Sequence, residues 1–291
     1  MDLRQLRYFT AIAQEKQITR AAKKLHMAQP PLSHQLKLLE QELGVLLMER
    51  NGKEMVLTES GEVLYIRANE LLKRLEETEI EVKEVGDGLI GSLAIGTVKT
   101  CFSYIPERLR LFRKEYPLVT FNIKSGDSFL LAQYLRNREI DLALVRLPID
   151  MNDFSFLPLP TDKFVLVIPS EWDLPKSMKM VDTLEIPLML LQQTSGVGLY
   201  ELVVDEYKKR GLELNIICEC PDAAILLFLV REGVGATLLP ESTLLSFPLN
   251  GLKIIEIEDC IIESKSAVVW LKDRYLSKSA KRFIDTFNPT H

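Results

Sequence analysis

Apolar residues recur at helical spacing from the start of the chain. Leu3, Leu6, Phe9 and Ala13 follow Asp2, a good capping residue, and predict an amphipathic helix to about Gln14. Thr19 can cap a second helix, in which the paired small residues Ala21 and Ala22 allow the close approach that a tight helical unit needs. After a turn at His26-Met27-Ala28, a third helix is predicted from Gln29, with Pro30 and Pro31 in the first turn, where missing amide protons cost little. Its apolar face is Leu32, Leu36, Leu39 and Leu43, its polar face Ser33, His34, Lys37 and Gln41, and Gly44 ends it. Asn51-Gly52, flanked by potential strand residues from Met48 to Leu57, signals a hairpin. Three short helices and a basic hairpin describe a winged helix-turn-helix.

The period then changes to a heptad. From Glu59 to about Val85 there is no proline, and Leu64, Ala68, Leu71, Leu75, Thr78, Val82 and Val85 alternate by four and three. A helix of that length spans about 40 Å at 1.5 Å per residue, too one-sided to be stable alone, and so is expected to pair with another copy. Gly86-Asp87-Gly88-Leu89-Ile90-Gly91 fits G-x-G-x-x-G, but a dinucleotide loop needs a strand before it and a helix after it. Here a helix precedes and the alternating strand Ser92-Leu93-Ala94-Ile95-Gly96 follows, which reads as a hinge.

Beyond the hinge, strands and helices alternate at 92–97, 105–116, 119–124, 128–138 and 141–145. The series recurs about 95 residues later at 188–191, 198–210, 214–219, 222–232 and 235–239, with Gly233 and Gly235 supplying the helix stop and a tight turn. This pattern implies α/β lobes built on parallel sheets, with ligand sites beyond the carboxyl ends of the strands. Extended segments at 163–169 and 265–271 are the expected crossovers, and 277–287 a closing helix. The expected domains are therefore 1–58, a DNA-binding winged helix-turn-helix; 59–88, a dimerising linker helix and hinge; and 89–291, a two-lobed domain. Lobe I takes about 89–161 and 267–291, and lobe II about 162–266.

Charge first argues against this layout. The 291 residues carry a net charge of -5, which taken globally disfavours a nucleic-acid partner. Divided by position, residues 1–58 hold nine Lys/Arg against six Asp/Glu, while 59–88 hold four against nine. The basic end is thus a separate region. Composition is otherwise that of an ordinary globular protein, with 47% apolar and 26% charged residues and a mean hydropathy of +0.05. No apolar run is long enough for a membrane span and the first residues lack a signal-peptide core, so a cytoplasmic protein with four reduced cysteines is expected. The histidines are His26, His34 and His291, which leaves the long stretch between the last two without Ser-His or Cys-His activation or a His-ligated metal. No enzyme, catalytic residue, metal or cofactor is expected.

The run Ala28-Gln29-Pro30-Pro31-Leu32-Ser33-His34-Gln35-Leu36-Lys37-Leu38-Leu39-Glu40, followed by Leu43-Gly44, Arg50 and Leu57-Thr58-Glu59-Ser60-Gly61, closely resembles LysR-type transcriptional regulators. Together with the long helix and the twin lobes, the resemblance covers the whole chain. It implies an effector domain similar to type 2 periplasmic binding proteins. It further implies a homotetramer on double-stranded DNA at an interrupted dyad near a promoter, with RNA polymerase as a partner if the protein activates. Within the family the chain looks most like bacillus-type regulators that respond to phenolic or other aromatic acids. His34 stands where many members carry arginine, and Pro31 where Ala, Ser or Thr is common. Without a guanidinium fork for guanine, the half-site preference of relatives does not carry over.

Pattern and resemblance together place Gln29, Ser33 and His34 near base edges, Lys37 and Arg50 on phosphates, and Lys53 at the minor groove, with Pro30 also among the DNA-binding residues. His26 reads as structural. The expected effector residues are Lys99, Thr100 and Cys101 after the first strand of lobe I, and Gln193, Thr194, Ser195 and Val197 after the first strand of lobe II, with Ser128 and Arg146. Hydroxyls, free amides at helix N-termini and a cation suit a small organic anion. Thr100 and Ser128 are alternatively helix caps, and Arg146 an interlobe ion pair. Cys218 and Cys220 fall on one face of a strand and read as packing, with Cys101 the better candidate for a reactive thiol. The competing functions are a redox-sensing member of the same family and a solute-binding protein, the latter disfavoured by the basic front region.

Overall fold

The Asp2 carboxylate accepts from the Gln5 amide at 2.7 Å, and the Gln5 side chain accepts from the Asp2 amide at 3.0 Å. This capping box starts α1 (Leu3–Glu15) in the computed structural model, which describes all residues except 53, 85–90, 193–197 and 289–291, together with the side chains of 80, 81, 83 and 84. The chain forms two compact units, Met1–Asp87 and Gly88–His291.

In the first unit α2 (Ile18–Lys24) begins one residue before Thr19, with Gln17 as N-cap and no side-chain cap bond, so Thr19 is an internal helical residue rather than the cap. α3 (Gln29–Leu43) carries Pro30 and Pro31 in its first turn and stops at Gly44, whose φ of 70° is left-handed. Leu32, Leu36 and Leu39 are buried against Phe9, Ile12, Ala21 and Ala22. Leu3 and Leu43, expected on the apolar faces, are instead exposed. β1 (Met48–Asn51) pairs antiparallel with β2 (Glu54–Leu57), and Asn51 faces Glu54 across the turn that contains Gly52. The Met55 amide donates to the Lys16 carbonyl at 2.8 Å, which ties the hairpin to the corner between α1 and α2.

α4 (Glu59–Glu84) corrects the expected seam. Ala68 is fully buried and Leu64 half-buried, because this end of the helix packs on α1 within its own unit. Leu71, Thr78 and Val82 face outward, and Val85 lies outside the described residues.

The second unit has two hydrophobic cores. The first surrounds a sheet of order β4-β3-β5-β14-β6, built from β3 (Gly91–Thr97), β4 (Val119–Ser125), β5 (Leu142–Arg146), β6 (Phe154–Pro158) and β14 (Ser266–Leu271). β3 runs parallel to β4 and β5, whereas β14 runs antiparallel to β5 and β6. α5 (Pro106–Glu115), α6 (Ser128–Arg136) and α10 (Lys278–Asp285) belong to this lobe, with α10 capped by Ser277 and burying Phe283.

The second core lies around β7 (Asp162–Pro169), which crosses from the first lobe. It pairs antiparallel with β11 (Thr237–Pro240), β12 (Leu252–Ile257) and β13 (Glu263–Ser264), and β12 pairs with β8 (Ser177–Met178). β9 (Leu188–Leu191) and β10 (Ile216–Cys220) run parallel, flanked by α7 (Leu199–Lys209), α8 (Ala223–Arg231) and the short α9 (Glu241–Leu244). The two five-stranded sheets are therefore mixed, not parallel throughout. The crossover strands that join the lobes enter each sheet antiparallel, a consequence of the chain passing between lobes that βαβ alternation does not reveal.

Candidate functional site

α3 begins with Gln29, followed by Pro30 and Pro31 in its first turn, and its three buried leucines orient the opposite side outward. Gln29, Pro30, His34 and Lys37 are exposed and Ser33 half-buried, so the α3 residues expected at DNA share one helix face. Arg50 is exposed on β1, and Lys53 lies outside the described residues. His34, Lys37 and Arg50 make no ion pair with any described residue, which leaves their polar groups open to a partner. His26 is exposed and adopts φ 53° in the turn before α3.

The segment after α3 is tied down from two sides. Glu40 accepts from the amides of Leu47 at 2.9 Å and Met48 at 3.3 Å, joining the exposed helix to β1. The Thr58 hydroxyl donates to the Leu46 carbonyl at 2.7 Å and accepts from the Gly61 amide at 3.0 Å, capping α4 while anchoring it beside β1. At Gly61 the approach is so close that a Cβ would sit 1.9 Å from the Leu47 carbonyl oxygen. That contact is the physical reason for glycine in Leu57-Thr58-Glu59-Ser60-Gly61.

In the second unit a cleft of about 320 Å³ opens at the carboxyl ends of strands from both lobes. Val98, Lys99 and Thr100 line it after β3, and Ser125 at the end of β4 is followed by Gly126 and Asp127. Leu191 ends β9, and Pro221 and Ala223 follow β10. Lys99 makes an ion pair with Asp222, the N-cap of α8, and so joins one lobe to the other. The hydrogen bond from Lys99 holds the Asp222 carboxyl below the ordinary carboxylate value, outweighing a smaller opposing effect of burial. The depressed value means that the pair stays charged at neutral pH and is lost only as pH falls below the usual aspartate range.

Arg146 is not a cleft cation. Only 4% exposed, it faces Asp162, itself 8% exposed, with Nη2 at 3.4 Å from Oδ2. It also donates to the Thr100 carbonyl at 2.9 Å, to Ser264 Oγ at 2.9 Å and to Thr100 Oγ1 at 3.3 Å. Of the two readings of Arg146, the geometry is that of the interlobe ion pair, since Asp162 begins β7 and also accepts from the Ser242 amide of α9 at 3.1 Å. Ser128 Oγ accepts from the Arg146 amide at 3.1 Å and donates to its carbonyl at 3.0 Å, so this hydroxyl is consumed behind the cleft. Neither Ser128 nor Thr100 is a helix cap. α6 is capped by Asp127, whose carboxylate accepts from the Leu130 amide at 2.7 Å. Gln193, Thr194, Ser195 and Val197 lie outside the described residues.

Cys101 is fully buried, and burial pushes its thiol up against a smaller opposing pull from Arg146, the reverse of what a reactive thiol needs. The native protein is therefore expected to leave Cys101 unmodified by iodoacetamide at neutral pH while urea exposes it. Peptide mass spectrometry after brief alkylation checks this, and rapid native labelling would contradict the burial. Cys218 is half-buried and Cys220 buried on β10, as expected for packing. Among the described residues no His/Cys/Asp/Glu group is placed to hold a metal, and no helix is long and apolar enough to cross a membrane.

Comparison with known proteins decides what this arrangement belongs to. Residues 3–62 match the family model described as bacterial regulatory helix-turn-helix protein, lysR family, and residues 86–290 match the LysR substrate binding domain. The chain belongs to the LysR family of transcriptional regulators. One relative, the HTH-type transcriptional regulator BsdA of Bacillus subtilis (strain 168), is 43% identical over 290 residues, covering 99% of this chain and 100% of that protein. The transcriptional dual regulator GltC of the same organism is 32% identical, covering 98% of this chain and 96% of GltC. In fold the chain is similar to full-length CbnR complexed with its target DNA, with a TM-score of 0.78 at 22% identity and 99% of both chains covered.

As a LysR-type regulator the protein combines a DNA-binding helix-turn-helix with an effector-binding domain. Asp127, Asp162 and Asp222 escaped the sequence reading of that domain. For two of them a signal existed. Asp127 and Asp222 each stand between a strand and a helix, one repeat of about 95 residues apart, which is the position of an N-cap facing the cleft. Asp162 gave no comparable signal, because its partner Arg146 is recognisable only once both crossovers are in place.

Proposed function

We propose that this LysR-type regulator binds an interrupted dyad near a promoter and that a small organic anion, an aromatic carboxylate, modulates that binding from the interlobe cleft. The observation that carries the DNA reading is the exposed face of α3, whose Gln29, Ser33, His34 and Lys37 have no competing ion pair. On this reading Gln29, Ser33 and His34 approach base edges, Pro30 lies beside them at the DNA, Lys37 and Arg50 hold phosphates, and Lys53 enters the minor groove. The winged helix-turn-helix of 1–58 is the DNA-binding part, 59–88 the linker, and 89–291 the sensor. Lys99 at the cleft supports an anionic ligand.

Unpartnered apolar side chains support self-association. Val63, Ile66, Leu71 and Val82 are exposed on α4, and Ile225 and Phe228 on α8. Two separate surfaces of this kind suit a dimer of dimers, and an activating role would add RNA polymerase as a partner. Footprinting on the DNA upstream of the protein's own gene, with and without aromatic acids, tests the whole reading. Protection of two spaced half-sites that shifts with the acid is expected, and ligand-independent or uniform protection would contradict it. Within such a site, His34→Ala is expected to reduce discrimination against random DNA by about 1–3 kcal/mol. Gel shifts with equal loss on both DNAs would assign His34 to phosphate instead.

A further inference from the structure

We infer that Asp222 sets the affinity and charge selectivity of the cleft by occupying the position of a ligand carboxylate. The inference rests on the proposed reading of the cleft as the effector site, and it adds a residue from the opposite lobe that competes with the ligand. Lys99 is the one cation among the described residues that line the cleft, and it is already engaged by Asp222. One oxygen of Asp222 accepts from the Ala224 amide at 2.8 Å, so the carboxylate is held in place by α8 while its other oxygen meets Lys99. Asp127 lines the same space from lobe I. Asp127 is itself engaged in capping α6, so an incoming anion meets no unengaged cation among the described residues that line the cleft.

A ligand carboxylate therefore gains Lys99 by exchange. It forms one ion pair with the Lys99 ammonium as the Asp222 pair breaks, with no change in the number of charges or protons. The Lys99 side chain is 53% exposed, and ion pairs so open to water are weak enough to exchange readily. Because the broken contact joins the lobes, exchange at Lys99 also removes a restraint on their movement. Ligand binding and lobe motion thus become coupled through one bond. Asp222 keeps its hydrogen bond to Ala224 throughout, so α8 does not lose its cap.

Asp222→Asn isolates the charge, since asparagine caps as well as aspartate does. Calorimetric titration of the full chain with benzoate and with neutral benzamide is the test, using wild type, Asp222→Asn, Lys99→Met and the double variant. Benzoate is expected to bind Asp222→Asn about tenfold more tightly than wild type, with benzamide nearly unchanged. Lys99→Met should bind benzoate more weakly, and adding Asp222→Asn to it should restore nothing. Equal or weaker benzoate binding by Asp222→Asn, or an equal gain for benzamide, overturns the inference while leaving the anion reading intact. If benzoate binds none of the four proteins, the aromatic-carboxylate reading fails. The ion pair is then judged by thermal unfolding of the same set, where non-additive changes support it and additive changes overturn it.

Discussion

Asp162→Ala lowers the stability of the two-lobed unit by roughly 3–5 kcal/mol, the usual consequence of leaving one member of a buried ion pair without its partner. Arg146 cannot swing out to water to escape the loss, because its guanidinium is held by Thr100, Ser264 and Ser242 as well as by Asp162. Asp162 in turn holds the start of α9 through the Ser242 amide and hydroxyl, so the substitution also leaves those donors unsatisfied. For a unit of this size the expected fall in Tm is on the order of 10 °C. Scanning calorimetry of the full chain measures it through the transition assigned to the larger unit. A fall of no more than a degree or two would mean that water replaces Asp162, and that Arg146 is not the clasp described.

The second large effect is expected at Gly61, where alanine destabilises the DNA-binding unit by roughly 3 kcal/mol, the upper part of the range for overpacking. The added methyl would meet the Leu47 carbonyl at 1.9 Å, and backbone cannot turn aside as a flexible side chain can. The start of α4 must then move away from β1, which strains the Thr58 bonds to Leu46 and Leu47. Because Glu40 ties α3 to the same residues, 47 and 48, DNA affinity should fall with stability. Chemical denaturation and fluorescence anisotropy on a footprinted site check the two effects. Unchanged values in both would remove the close approach as the reason for glycine.

The front of the chain was largely legible because its signals are local. Asp2 with Gln5, Pro30 with Pro31, Gly44 and Gly52 each act within a few residues, and the structure places the helix starts, the helix stop and the hairpin turn there. Thr19 misled because hydroxyl residues occur inside helices as well as at their starts. The period of three and four from Leu64 to Val82 did not reveal what covers each part of that face. Ala68 is taken by α1, a choice that depends on where α1 lies in space.

The cleft was legible in outline and not in chemistry. Alternation of strands and helices pointed to the loops after β3 and β9, and the described cleft does open at strand ends in both lobes. Thr100, Ser128, Cys101 and Arg146 have residue types that suit a ligand, yet tertiary packing turns all four into or toward the buried clasp. The side chains of Thr100, Ser128 and Arg146 find protein partners 16 to 118 residues away in the chain, a separation that no local pattern encodes.

The sequence by itself determined the kind of protein this is. Periodicity, capping residues and the basic first 58 residues specify a winged helix-turn-helix, a long amphipathic helix and a twin α/β unit, because backbone preference and apolar spacing act over short distances. Only the tertiary structure decided how the charges are spent. Lys99 is left at the cleft against Asp222, Arg146 is withdrawn against Asp162, and the α3 face stays unpaired. Electrostatic partners are chosen by distance in space and by burial, and both come into being only when the chain has folded.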